Sequence, residues 1–147
     1  MTSASAFTRD ANFVPITNLG LQASKAITYV AGTTGAVGTT TLFTVTGTVA
    51  CNVFAVCSTD LTGSGTLEVG TATSTATLCD QQAATAIDNH EIWHNAIIAV
   101  GGQIGGSVHI INEDVIQTIA TNTVTAGVLT FYCVWTPIST DGNVVAA

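Results

Sequence analysis

Charge is what this chain has least of. Only 7% of its 147 residues are Asp, Glu, Lys or Arg, against roughly a quarter in an ordinary soluble domain. The basic residues stop almost at once: Arg9 and Lys25 are the only two, and every charge after Lys25 is acidic. With a net charge of −7 and no cluster of Lys and Arg, the chain lacks the feature that drives binding to a nucleic-acid backbone. Long apolar runs are missing as well. Hydrophobic residues make up 47% and mean hydropathy is +0.52. Yet no uninterrupted apolar stretch is longer than residues 96–100, far short of the ~20 that cross a membrane as a helix. The first ten residues hold no apolar core of the kind that marks a secretory leader. The expectation is a protein made and folded in a cytoplasm, with neither nucleic acid nor membrane as a partner.

Cysteine is sparse and badly spaced for chemistry. Cys51, Cys57, Cys79 and Cys133 form no C-x-x-C pair, so a zinc ribbon or thioredoxin-like redox site has no support. Cys51 and Cys57 fall on one face of an expected strand about 20 Å apart, too far to bond to each other. Four buried, reduced thiols are expected, with one disulfide, for example Cys79 to Cys133, as the alternative after release into an oxidising medium. Aromatics are few, with two Trp and two Tyr, and no aromatic cluster suggests stacking on sugars. The Gly-rich segments 32–38 and 101–106 lack the Gly-Lys-Ser/Thr ending of a phosphate loop and read as turns.

What is present is Thr, Gly, Ala and Val in short alternating runs. Residues 1–25 show no periodicity but scatter Phe7, Phe13, Val14, Pro15, Ile16 and Leu19 among small polar residues. That is too apolar for an ordinary disordered tail and reads as an arm that orders against a neighbour. From residue 26 to 147 the chain reads as one β-domain, long enough to bury about two-thirds of its unfolded surface. Strands are expected at 26–31, 40–46, 49–58, 66–70, 75–78, 108–111, 115–120 and 127–136. Gly47-Thr48 reads as a type II′ hairpin link, and 66–70 with 75–78 as a second antiparallel pair. Only 81–100 has room for a short helix or a loop. The fold class is therefore all-β and mainly antiparallel, a single sandwich or jelly-roll-like domain with an extended N-terminal arm.

One stretch looks like chemistry. His90-Glu91-Ile92-Trp93-His94 matches H-E-x-x-H, which on a helix sets two His on one face to bind zinc while the Glu activates a metal-bound water. Glu113, 19 residues beyond His94, stands where a gluzincin third ligand would. Against this, Ile97 and Val100 replace the Gly and His of the metzincin extension, and Asp88 puts a charge just ahead of the motif. The plainer reading has Ile92 and Trp93 anchoring a loop or helical turn in the core, with both His facing outward. His109 alternates with apolar residues and reads as an ordinary strand residue.

Several segments resemble small virion proteins of tailed bacteriophages: residues 42–47 (LFTVTG), 57–62 (CSTDLT), 66–71 (TLEVGT), 86–93 (AIDNHEIW) and 135–147 (WTPISTDGNVVAA). Within that group, size and β-content look most like a capsid decoration, or cement, protein. The resemblance implies a homotrimer on the virion exterior that contacts the major capsid protein, with no enzymatic activity, cofactor or metal, so that the His-Glu motif is incidental. The expected partner-binding residues are Arg9, Phe13, Pro15, Ile16 and Lys25 in the arm. A tail, neck or fibre-associated structural protein is the first alternative, and a small zinc metallopeptidase using the HEIWH motif is the alternative of another class.

Overall fold

Alternation with a period of two sets the architecture. In the longest strand Val49, Cys51, Val53, Ala55 and Cys57 are buried, while Ala50, Asn52, Phe54 and Val56 between them stay half-covered. The run that ends the domain repeats this with Leu129, Phe131, Cys133 and Trp135 buried. Every other side chain thus points into one shared core, and β-branched and aromatic residues suit that half-buried, pleated surface. The computed structural model describes residues 21–95, 97–100 and 108–147.

The strands, in chain order, are β1 (Leu21–Thr28), β2 (Gly38–Thr46), β3 (Val49–Gly63), β4 (Thr66–Gly70), β5 (Cys79–Ala83), β6 (Ile92–His94), β7 (Ile97–Ala99), β8 (His109–Ile111), β9 (Val115–Ala120), β10 (Val124–Pro137) and β11 (Asn143–Ala146). A six-stranded sheet runs β1-β10-β3-β6-β7, with β8 also paired to β3, and a five-stranded sheet runs β11-β2-β9-β4-β5. Every pairing is antiparallel. The order β1-β10-β3-β6 facing β2-β9-β4-β5 is that of a jelly roll, in which the chain passes from sheet to sheet among these strands except where β4 turns directly into β5. Strands β7 and β8 extend one sheet, and β11 the other. The expected all-β sandwich is what forms.

Four local expectations change. Strand β1 begins at Leu21 rather than residue 26, and residues 21–25 pair with β10, Lys25 opposite Phe131. Gly47-Thr48 is not a hairpin link, because β2 and β3 lie in different sheets. It is a corner, and Gly47 takes φ +64° there. Thr48 N donates to Ser139 Oγ at 2.8 Å and Thr48 O accepts from Ile138 N and Ser139 N, so the segment before β11 braces the corner. Strand β4 pairs with β5 rather than with 75–78. That segment turns, and only Leu78 N reaches back to Val69 O at 3.0 Å. Residues 81–100 hold no α-helix among those described, but the end of β5, a 3-10 turn at Ala84–Ala86, then β6 and β7.

The core lies between the sheets. Trp93 meets Phe131 edge to face at 6.4 Å between ring centroids, with Phe43, Leu42, Leu67 and Ile119 fully buried around them. Each such side chain contributes about 1.5–3 kcal/mol on burial. One polar pair interrupts it: the Tyr29 hydroxyl donates to Gln117 Oε1, and both residues are buried. Burial pushes the Tyr29 phenol far above its ordinary range, so it stays a neutral donor.

Candidate functional site

The His-Glu motif forms no helical face. His90 sits in a left-handed turn at φ 71° and is exposed. Its N–H donates to Cys57 O at 3.0 Å, while Glu91 O accepts from Cys57 N at 2.8 Å. The Glu91 carboxylate is engaged locally, accepting from Asp88 N at 2.7 Å. Strand β6 then extends, which sends Trp93 into the core and His94 to the opposite side of the sheet, in register with Phe54. His94 is on that outer side but only 6% exposed, so of the two His only His90 is open to solvent. The separation of the motif has a physical cause: burying Trp93 against Phe131 fixes the strand's phase, and a strand does not bring positions i and i+4 together as a helix does.

Glu113 stands apart, between β8 and β9. It accepts from Thr73 N at 3.0 Å and from Thr73 Oγ1 at 2.5 Å, and these bonds hold its carboxyl below the usual carboxylate range. The clamp closes one side of a polar cleft of about 220 Å³ lined also by Thr71, Ser74, Thr77 and His109. Among the described residues no group of three or more His, Cys, Asp or Glu side chains is placed to share a metal ion.

Arg9, Phe13, Pro15 and Ile16 lie outside the described residues. Lys25, expected in an arm, is in β1 and points inward at the edge of the six-stranded sheet. Its Nζ donates to Thr41 O and to Ala147 O, both at 2.8 Å. Those acceptors belong to and follow strands of the other sheet, so the ammonium ties the two sheets at their open edge. An inward charge on an edge strand also discourages pairing with another chain.

All four cysteines are reduced and buried. The considered Cys79–Cys133 bridge does not form, because the thiol beside Cys133 is Cys51, its diagonal neighbour across β3 and β10. Contact with Cys51 and burial together push the Cys133 thiol up, and burial raises Cys79 to about 12. Desolvation likewise raises Cys57. Cys51 moves the other way, lowered by its hydrogen bond with the Cys133 thiol, but at 1% exposed it is closed to a substrate, so none of the four is an accessible nucleophile.

The two outer faces of the sandwich differ, and this asymmetry escaped the sequence reading. On the five-stranded sheet Thr39, Thr118 and Glu68 lie side by side in register, with Gln81 Nε2 donating to Glu68 at 3.3 Å. On the six-stranded sheet the corresponding row is Ser24, Tyr132, Phe54, His94 and Ile97, and the next is Ala26, Thr130, Val56, Ile92 and Ala99. Neither row carries an Asp, Glu, Lys or Arg. Phe54 and Tyr132 stack at 5.2 Å. Toward β8 the face opens into a groove of about 230 Å³ walled by Ala50, Asn52, Val108, Val134 and Thr136. Val108 and Ile110 are 67% and 69% exposed, and Ile97 53%. The signal was in the sequence as Phe54, Val56, Ile92 and Tyr132 at the positions between core residues, where a solvated strand carries polar ones.

No protein family, curated protein or solved structure matches this chain.

Proposed function

We propose that this chain is a capsid decoration protein of a tailed bacteriophage, a subunit that assembles as a homotrimer on the outer surface of the head and braces contacts of the major capsid protein. The observation that carries the reading is the division of the surface: a hydroxyl-rich face bearing Glu68 on one sheet and an uncharged, partly aromatic face on the other. Such a body is suited to packing against protein and unsuited to packaged DNA, which repels it. A jelly roll is also an architecture that capsid proteins use. That is support by analogy, since one fold hosts many functions. The resemblance of five segments to small phage virion proteins points the same way. The residues of the zinc motif, spread over a turn, a strand and a distant loop, give the peptidase reading no comparable geometric support.

The test is to add the purified chain to phage heads that lack it, sediment them, and challenge them with heat and chelator. Saturable binding with a raised disruption temperature is expected. No binding to heads, or labelled chain found on the tail of intact virions, would overturn the decoration reading in favour of a tail, neck or fibre role.

A further inference from the structure

We infer that the uncharged outer face of the six-stranded sheet is the surface through which copies of this chain pack on one another. This rests on the reading of the protein as a self-associating virion subunit and names the face that reading leaves open.

The argument begins with charge. Two copies, each with nine carboxylates offset only by Arg9 and Lys25 to a net −7, repel wherever carboxylates meet, over a range of about 8 Å at physiological salt. Among the described residues the carboxylates sit off the two central rows of this face: Glu68 and Asp80 on the five-stranded sheet, and Asp88, Glu91, Glu113, Asp114 and Asp141 in connecting segments. Asp60 lies at the far end of β3, past its register shift with β10, and accepts from Asn89 N. Lys25 points inward and is held by two backbone oxygens, so ion pairing with a second copy through it is already pre-empted. A partner of opposite charge finds nothing on these rows to recognise. A second copy finds there a surface it can meet without like-charge cost.

Chemistry and continuity support the same occupant. Tyr132, Phe54, Val56 and Ile92 offer broad, rigid contact area of the type enriched at interface centres. The patch runs outward to the exposed apolar side chains of Ile97, Val108 and Ile110. Contiguous apolar surface of this kind is a mark of an interaction site rather than of ordinary solvated sheet. Around a three-fold axis each contact is heterologous, so one part of this face meets a different part of the next copy's.

The experiment uses the full chain. Sedimentation velocity at micromolar concentration is run on the wild type, on Ile97→Glu and Ile110→Glu, and on Thr39→Glu of the opposite face as control, with far-UV circular dichroism to compare folding. An oligomer in the wild type and control, shifted at least tenfold toward monomer by either face variant, supports the inference. Hydrogen exchange of the wild type at low and high concentration tests it without substitution: slowed exchange on association is expected at 97–99 and 109–111. Face variants that stay oligomeric, or protection confined to the five-stranded sheet, overturn it while leaving the decoration reading intact. A wild type that is monomeric yet binds heads, with binding lost in Ile110→Glu, also overturns it, because the face then meets the capsid. A monomer that binds no heads removes both.

Discussion

Gly47 is the residue on which the switch between sheets depends. At φ +64° a side chain is strained, and a Cβ there would come within 2.4 Å of Asp141 Oδ1 and Ser139 Oγ. The substitution Gly47→Ala is expected to cost about 1–3 kcal/mol, read as a lower urea midpoint with an unchanged slope. The thiols give a second residue-scale expectation. Cys79 ionises near 12 in the fold but near 8.5 when unfolded. Between those values the folded chain holds a proton that the unfolded chain has released, so stability is intact below about pH 8.5 and falls as pH rises toward 12. The raised Tyr29, Cys57 and Cys133 act in the same direction, and Cys51, lowered by its contact with Cys133, opposes them. Urea midpoints measured from pH 7 to 11 should decline, and Cys79→Ala should flatten part of that decline. Trp93 shows why the metal motif could be read in the sequence and yet not be assembled. Five letters give spacing, but the phase of β6 is set by the contact of Trp93 with Phe131, and Phe131 is remote in sequence.

At the scale of elements, β1 and β10 carry the most instructive pairing. Strand β10 is central, with β1 on one side and β3 on the other, so removing Phe131 from it empties the middle of the sandwich. Phe131→Ala is expected to cost about 3–5 kcal/mol, enough to unfold a domain of ordinary stability at mild denaturant concentrations. Strand β1 is an edge, and Lys25 closes it by reaching across to Thr41 O and Ala147 O. Lys25→Ala should cost about 1–3 kcal/mol through the lost charged hydrogen bonds and should raise light scattering on heating, since the edge loses its inward charge. A variant that aggregates no faster than wild type would show that the edge is protected by something else. Strand β9 and most of β10 were legible from β-branched alternation alone. The corner at Gly47-Thr48 was not, because a two-residue link after Gly looks the same whether the next strand folds back or crosses to the facing sheet.

For the whole molecule, low charge and the placement of what charge there is govern association. If acidic bodies meet through an uncharged face, salt screens the residual repulsion and brings no loss of ion pairs. Self-association should therefore tighten, or hold constant, between 50 and 500 mM NaCl when followed by sedimentation. Marked weakening with salt would indicate ion pairs across the contact. The jelly roll itself follows from many non-local pairings, such as β1 with β10 and β2 with β9. Contacts so distant in sequence make slow folding the expectation for this topology.

The amino-acid sequence by itself determined that the chain is a β-rich domain with an alternating core, few charges, and almost no cationic surface. Those properties are local: a period of two and a count of ionisable groups need no knowledge of which strand lies beside which. Tertiary structure alone decided that β2 and β3 lie in opposite sheets, that Lys25 is a clasp between the sheets rather than part of an extended arm, and that His90, His94 and Glu113 go to separate places. It also decided that Phe54, Tyr132 and Ile92 line up in neighbouring rows on one uncharged face. Each of these depends on strand pairing across long stretches of chain, where burial in a common core, rather than any neighbouring residue, selects the partner.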